Sequence, residues 1–316
     1  MTTAPPRPDA AGIRRSARSV GMIAVTLAVL CFSLGSTLVK KSQTPGPTVA
    51  FWRMVAASSV WTAVLWVRQR RLVTREELRR AVVPGIAFGL NLTAFFTGVT
   101  HTTVANAEFI GALTPLLLVP AGAVMFHEHL NPRALAFGII SLGGLALVLF
   151  GGSTSGDASW TGNGIVAVAM LLWATYLLTS RRLRQTMSVE VIMASVMPVA
   201  TVAVLPIALG SGRIAHVTWR SVAFIALLTL LTGTVAQGLM VFAQHAVAVG
   251  TISIMQVGQP AIAVVWSVLF LGAHLEAIQL VGMALVVIGL FMVIFVTQRA
   301  IGLRLQTEGE LAGTAG

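Results

Sequence analysis

Ten long runs of apolar residues, separated by short polar stretches, account for most of the chain. They lie at 20–39, 47–67, 81–99, 103–126, 134–151, 162–180, 187–209, 221–245, 249–272 and 277–298. Each run is close to the length of about 20 residues that a helix needs to cross a bilayer. The pattern therefore predicts an all-α integral membrane protein with ten transmembrane helices. A polar N-terminal tail at 1–19 precedes them, and a polar C-terminal tail at 299–316 follows them.

The composition also indicates a membrane protein. Hydrophobic residues make up 56% of the 316 residues, charged residues only 10%, and the mean hydropathy is +0.87. Soluble domains carry about 25% charged residues, so this composition excludes an ordinary soluble enzyme and a disordered protein. The single cysteine, Cys31, excludes an internal disulfide and a cysteine-cluster metal site.

The net charge of +11 arises from basic residues that gather between the apolar runs. This placement is typical of cytoplasmic loops and not of a nucleic-acid surface. With the N-terminus inside, 16 of the 21 Lys and Arg residues lie on the cytoplasmic side and 4 lie outside. The asymmetry predicts a multi-pass protein of the cell (inner or plasma) membrane with both termini in the cytoplasm. No nucleic-acid partner is predicted.

The two halves of the chain form a repeat. An offset of about 145 residues places Pro115 on Pro260 and divides the apolar sequence into residues 20–151 and 162–298. Each repeat contains five predicted spans. Because five is odd, the second copy enters the membrane upside down relative to the first. Such inverted repeats are typical of secondary transporters.

Several short motifs carry a family resemblance. They are Ala-Asn-Ala at 105–107, Leu-Thr-Pro at 113–115, Phe-His-Glu-His-Leu at 126–130, Phe-Trp-Arg at 51–53, and the aromatic residues Phe32 and Trp173 in the first helix of each repeat. Together with the ten spans, they resemble the EamA-type ten-helix exporters of the drug/metabolite transporter superfamily over about residues 20–298. The resemblance implies transport of small metabolites, amino acids or drugs. Ala273 departs from the family pattern, which often has Glu there.

Arg53 and Glu108 are the only ionisable groups well inside the predicted spans. Charges in hydrocarbon cost at least about 2.5–3.5 kcal/mol, which makes both residues functional candidates. Each lies about 8–9 Å below the outer end of its helix, so the two can pair. Two interpretations stay open. The pair is either a structural salt bridge or a coupling pair in which Glu108 binds a proton or a substrate amine.

Polar and aromatic residues within the spans predict a central cavity. The predicted cavity residues are Phe32, Asn91, Phe95, Trp173, Tyr176, Gln237, Met240 and Gln256. Taken singly, each amide can instead join two helices. Pro115 and Pro260 are predicted hinges, with a simple helix kink as the alternative. The G-x-x-x-G spacing of Gly85 and Gly89 predicts a close helix contact.

The predicted function is a secondary exporter that works by alternating access. The alternatives are a membrane-embedded enzyme that acts on lipid and a non-transporting membrane protein. No metal site is predicted, because the adjacent residues His127, Glu128 and His129 spread around a helix end. No cofactor is predicted either, and no phosphate-binding loop occurs. The predicted partners are a small-molecule substrate and the lipid bilayer, with protons as the candidate coupling ion. The sequence indicates no particular oligomeric state.

Overall fold

A computed structural model of the protein describes residues 10–102, 107, 110–126, 132–150, 159–215, 217–271, 276–278, 280–289, 291–293 and 295–296. The described residues contain helices and no β-strand. The helices of the first half are α1 (Ala10–Ser33), α2 (Gly35–Ser42), α3 (Gly46–Gln69), α4 (Arg75–Arg80), α5 (Val82–His101), α6 (Pro115–Phe126) and α7 (Pro132–Phe150). Those of the second half are α8 (Trp160–Arg184), α9 (Val189–Gly210), α10 (Trp219–Leu228), a π-helical segment (Thr229–Ala236), α11 (Gln237–Ala243), α12 (Val249–Gln256) and α13 (Gly258–Leu271). Further helical residues follow within 277–296.

Five helices in the described part of the chain are long and apolar enough to cross a membrane. They are Gly46–Gln69, Val82–Val99, Trp160–Arg184, Val189–Gly210 and the continuous run Trp219–Ala243. Three shorter apolar helices lie at Ala17–Ser33, Pro132–Leu147 and Leu280–Val293. The all-α membrane architecture agrees with the prediction, whereas the described residues do not contain ten full-length spans.

Of the five predicted spans that do not appear as long helices, three are interrupted, and those at 134–151 and 277–298 correspond to two of the shorter apolar helices. A turn at Leu34 divides the span predicted at 20–39, and Val257 divides the one predicted at 249–272. Leu113 and Thr114 form a turn within the span predicted at 103–126. Hydropathy cannot reveal such breaks, because the turn residues Leu34, Leu113 and Val257 are as apolar as those in the helices.

Helix α1 also begins earlier than predicted. It starts at Ala10, inside the tail predicted at 1–19, and continues to Ser33. Ala10, Ala11 and the arginines that follow are good helix formers, so the helix continues beyond the apolar run. The start of an apolar run therefore does not fix the start of the helix here.

Side-chain caps explain three of the helix starts. The hydroxyl of Ser159 accepts a hydrogen bond from the backbone N–H of Gly162 and begins α8. Thr218 caps α10 in the same way, through the N–H of Ser221. Thr74 forms a reciprocal capping box at the start of α4. Each cap satisfies a backbone donor that the first turn of a helix leaves free.

The outer surface of the helices is apolar. On α1, the exposed residues Val20, Ile23, Leu27 and Leu30 recur every three or four positions. This spacing places them on one face of the helix. Contiguous exposed apolar stripes are rare on soluble monomers. The face is suited to contact with lipid.

The two repeats pack against each other through matching pairs of helices. Helix α5 of the first repeat lies along α8 of the second, and α1 lies along the π-helical segment and α11. A two-fold axis that exchanges the repeats exchanges these two pairs. Helices α3 and α9 form the third large contact. This arrangement fits the inverted repeat predicted from the sequence.

The Gly85 and Gly89 pair on α5 allows α9 to approach closely. A Cβ atom added to Gly85 would lie 2.6 Å from Val199, and one added to Gly89 would lie 2.7 Å from the carbonyl oxygen of Ala200. Neither position has room for a side chain. The close helix contact indicated by the G-x-x-x-G spacing therefore occurs between the repeats.

Candidate functional site

A cavity of about 170 Å³ lies between the two repeats. The first repeat contributes Phe32, Arg53, Phe88, Asn91, Phe95, Thr114 and Pro115, among others, to its lining. The second repeat contributes Trp173, Thr232, Gln237, Ser253, Gln256, Gln259 and Pro260, among others. The walls are mostly aromatic and aliphatic, with a few polar groups, as is common for small-molecule sites.

A helix break from each repeat reaches the cavity at an equivalent position. Helix α6 starts at Pro115 directly after the turn at Thr114, and α13 starts two residues before Pro260. Proline lacks a backbone N–H, so it fits the first turn of a helix at no cost in hydrogen bonds. At the breaks the backbone N–H of Thr114 bonds the carbonyl oxygen of Gly111, and that of Val257 bonds the carbonyl oxygen of Ile254, so tight turns replace regular helical turns beside the cavity. Discontinuous helices of this kind occur at the substrate sites of other transporters.

Arg53 is a charged residue in the wall of this cavity. It lies in the middle of α3 and is only 3% exposed. Its Nε atom has no hydrogen-bond partner, and no carboxylate among the described residues forms an ion pair with it. Glu108, the partner predicted from the sequence, lies outside the described residues. Burial of a charge is costly unless another group compensates it.

The π-helical segment Thr229–Ala236 forms the wall beside Arg53. A Cβ atom added to Gly233 would lie 3.5 Å from Arg53 Nε, an ordinary contact distance, so Gly233 lies directly beside the guanidinium. The indole Nε1 of Trp61 donates a hydrogen bond to the carbonyl oxygen of Gly233, at 3.2 Å. Widened helical turns of this kind often occur at functional sites.

Three amide side chains of the cavity differ in their hydrogen bonding. Asn91 Nδ2 donates to the carbonyl oxygen of Ala169 at 2.7 Å, and this bond joins α5 to α8. Gln237 Nε2 donates to the hydroxyl of Tyr176 at 2.8 Å. The Oε1 atoms of Gln237 and Gln256 have no hydrogen-bond partner. Each of these glutamines therefore has one end of its amide available to another group.

Aromatic rings from both repeats meet at one side of the cavity. The rings of Phe32 and Trp173, which occupy equivalent positions in the two repeats, lie edge to face with centroids 6.4 Å apart. Phe88 lies 6.4 Å from Trp173, and Tyr176 stacks on Trp173 at 5.3 Å. These distances are typical of favourable aromatic pairs.

Most of the predicted site residues lie around this one cavity. The lining includes Phe32, Asn91, Phe95, Trp173, Gln237, Gln256, Arg53, Pro115 and Pro260. Tyr176 and Met240, which the sequence analysis assigns to the wall, are fully buried in the core next to it. Tyr176 supports the wall indirectly, since it accepts the hydrogen bond from Gln237.

Several lining residues were not predicted from the sequence. Phe88, Met170, Thr232 and Ser253 belong to this group. Thr232 and Ser253 each bond a carbonyl of their own helix, so their hydroxyls resemble ordinary helix-interior groups. The one available signal was Gly233, because glycine in the middle of an apolar helix often marks a close approach.

The described residues contain no group of three or more His, Cys, Asp or Glu side chains that could hold a metal ion. The sequence cluster of His127, Glu128 and His129 lies outside them. Cys31 is half-buried and is partly packed against the core.

Comparison with known proteins adds an independent result. Residues 160–295 and 19–150 each match the EamA-like transporter family. Over 163 residues the chain is 24% identical to the pseudopaline exporter of Pseudomonas aeruginosa, covering 49% of this chain and 53% of that protein. Over 186 residues it is 28% identical to an uncharacterized transporter of Archaeoglobus fulgidus, covering 58% of this chain and 64% of that one. The chain thus spans about half to two thirds of these relatives.

One solved crystal structure has the same fold. It superposes with a TM-score of 0.74 at 18% identity and covers 89% of this chain and 99% of the other. The family matches cover both halves of the chain, on either side of the cavity. The chain belongs to the EamA-like transporter family, with one family repeat in each half.

Proposed function

We propose that the protein is a secondary transporter that exports a small metabolite, amino acid or drug by alternating access. The observation that carries the proposal is the cavity between the repeats, to which both repeats contribute a broken helix. A site at such an interface can open to one side and then to the other when the repeats rock against each other. Similarity to an exporter favours outward movement of the substrate.

We propose that the chain crosses the cell membrane ten times, with both termini in the cytoplasm. The distribution of Lys and Arg supports this orientation. Five helices of sufficient length and three shorter apolar helices support a multi-pass arrangement. Membership of a transporter family disfavours a lipid-modifying enzyme and a non-transporting protein, the two alternatives considered from the sequence.

In this proposal, the residues of the cavity have distinct roles. Phe32, Phe95 and Trp173 hold the apolar part of the substrate, and the amides of Asn91, Gln237 and Gln256 bond its polar groups. Tyr176 and Met240 support the wall from behind. Pro115 and Pro260 are hinges at the helix breaks. Arg53 and Glu108 form the coupling pair, in which Glu108 exchanges its partner or its proton during the cycle.

Reconstitution into liposomes tests this function. Purified protein should mediate flux of small organic solutes, and an imposed proton gradient should drive the flux. Glu108→Gln removes the titratable group and keeps its shape, so flux should become weak and independent of pH. Liposomes without protein serve as the control. Absence of flux for a broad panel of amino acids, drugs and organic acids would contradict the transporter proposal, and unchanged pH dependence in Glu108→Gln would contradict the proton role.

A further inference from the structure

The charge balance of the cavity points to a class of substrate. Arg53 is a full positive charge, and no acidic residue occurs in the described lining. Its Nε atom has no hydrogen-bond partner, and no carboxylate of a described residue forms an ion pair with it. A buried cation of this kind is stabilised when a counter-charge comes within contact distance. The position of Arg53 in the wall allows a bound anion to supply that charge.

We propose that the substrate is a small organic monoanion whose carboxylate replaces Glu108 as the partner of Arg53 during the cycle and whose aromatic or apolar body lies against Trp173. This inference rests on the proposed transport function, because it assigns the substrate class of the same cavity. It excludes amines and zwitterions as preferred substrates.

The geometry favours a carboxylate over a phosphate. A guanidinium offers a planar fork of donors that matches the two oxygens of a carboxylate. One cation neutralises a monoanion, whereas a phosphate dianion would leave an uncompensated negative charge in an apolar cavity. The free amide ends of Gln237 and Gln256 can bond a neutral N–H or O–H group on the same molecule.

The aromatic wall of the cavity indicates what the rest of the substrate, apart from its carboxylate, consists of. Trp173, Phe32 and Phe88 form one continuous aromatic surface, with centroids 6.4 Å apart in both neighbouring pairs. A flat ring gains stacking contacts there that a small hydrophilic acid lacks. An indole ring joined to a short acid chain combines these features, and its N–H can reach an amide oxygen.

Three indole compounds test the proposal by isothermal titration calorimetry on the purified full-length protein. They are indole-3-propionate, its primary amide and the corresponding propylamine. We expect the acid to bind at least about tenfold more tightly than the amide, and the amine to bind most weakly, because hydrogen bonds to a charged group are the stronger ones. A wild-type protein that binds the amide or the amine as tightly as the acid overturns the proposal.

Variants separate recognition of the carboxylate from general packing. Arg53→Gln should reduce the acid-to-amide preference to about one, and Arg53→Lys should retain part of it. Arg220→Gln is the matched control, because Arg220 is exposed at the start of α10 and should keep the full preference. A full preference in Arg53→Gln overturns the proposal. If that variant does not fold, the acid-to-amide ratios of the wild type and of Arg53→Lys decide.

Flux measurements distinguish this inference from the proposed function. Selective binding of the acid without flux in liposomes would contradict transport and leave the substrate class supported. Flux of the amine in preference to the acid would support transport and overturn the substrate class. Glu108→Gln should keep the acid-to-amide preference, because in the loaded state the substrate carboxylate, and not Glu108, is paired with Arg53. A loss of selectivity in Glu108→Gln as large as that in Arg53→Gln would overturn the inference.

Discussion

Trp173 is the residue at which the two repeats and the cavity meet. It contacts Phe32 from the first repeat, Phe88 from α5 and Tyr176 from its own helix. The side chain is half-buried, so one part of the ring packs against these neighbours and another part faces the cavity. In the proposed transport function, this position places the exposed part of the ring against the bound substrate.

Replacing Trp173 tests that contact. We expect Trp173→Ala to lower substrate flux by about fivefold, since loss of the aromatic surface removes about 1 kcal/mol of contact. The measurement is flux per molecule of monodisperse protein in liposomes. Trp219→Ala is the control, because Trp219 is 85% exposed at the start of α10 and should transport normally. Wild-type flux in a well-folded Trp173→Ala protein would make Trp173 a packing residue only.

The chemical types of most site residues could be predicted from the sequence, but their exact positions could not. A buried arginine and several amides in apolar helices stand out because each is costly in lipid. Tyr176 stands out for the same reason, yet its ring lies in the core and only its hydroxyl reaches Gln237. Helical spacing does not distinguish a residue in the cavity wall from one in the core behind it, since both lie on the inward face of a helix.

At the scale of elements, the interruptions of helices determine where polar groups meet the cavity. The break before Pro115, the break at Val257 and the π-helical segment all border it. Pro115 and Pro260 indicated the first two of these breaks in the sequence, because proline often interrupts a helix. The π-helical segment had no such signal, because Thr229–Ala236 has the apolar composition of an ordinary helix and depends on tertiary contacts such as the Trp61 hydrogen bond.

Gly233 allows a graded test of this segment. An added Cβ would make ordinary contacts, at 3.5 Å from Arg53 Nε and 3.6 Å from Ala57 Cβ. We therefore expect Gly233→Ala to keep most of the substrate affinity. Gly233→Leu should displace the guanidinium and lower the affinity by about tenfold or more, in line with the loss of one charge-assisted contact. Calorimetric titration of both variants gives the comparison. Equal affinities would contradict a role for the space at Gly233.

The short helix α4 provides a prediction on pH. Glu77 accepts two hydrogen bonds of 2.8 Å from Arg71, and it also accepts from the backbone N–H of Thr74. These bonds, with that from Arg71 the largest cause, lower the pKa of Glu77 from 4.5 to about 2. A carboxyl group whose pKa is lowered on folding stabilises the folded state at pH values above its ordinary pKa of about 4.5. This contribution disappears as the pH falls from about 4.5 to about 2.

We expect Glu77→Gln to lower the melting temperature slightly at pH 6 and to have a smaller effect as the solution is acidified towards pH 3. The energy involved is less than about 1 kcal/mol, as is usual for exposed ion pairs. Glu76→Gln is the control, since Glu76 pairs only with Arg80 in an exposed i, i+4 contact. If the melting temperatures of the wild type and of Glu77→Gln fall in parallel as the pH is lowered, the lowered pKa of Glu77 is contradicted.

At the scale of the whole molecule, the sequence predicted the division into two repeats and the family. The offset that aligns Pro115 with Pro260 depends on spacing, which the fold preserves. The pairing of α5 with α8, and of α1 with the second half, could not be predicted from apolar patterns alone. Helices that are apolar on many sides can pack in several ways, and glycines such as Gly85 and Gly89 select among them.

The orientation in the membrane is open to a direct test. A reporter enzyme that is active only outside the cytoplasm should give a signal when it is fused after residue 157. The same reporter fused after residue 316 should give none, because the basic residues favour both termini inside. Activity measured in intact cells provides the comparison, with expression levels matched by immunoblot. The reverse pattern would contradict the proposed topology.

The π-helical segment has a consequence for insertions and deletions. An ordinary helix rotates by about 100° per residue, so removal of one residue turns everything beyond it to a different face. A segment that bonds residue i to i+5 contains more residues per turn than its flanks. Deletion of one residue within Thr229–Ala236 could restore an ordinary helix and leave α10 and α11 in their present phase. Loss of one residue should therefore be tolerated better within this segment than within α10 or α11.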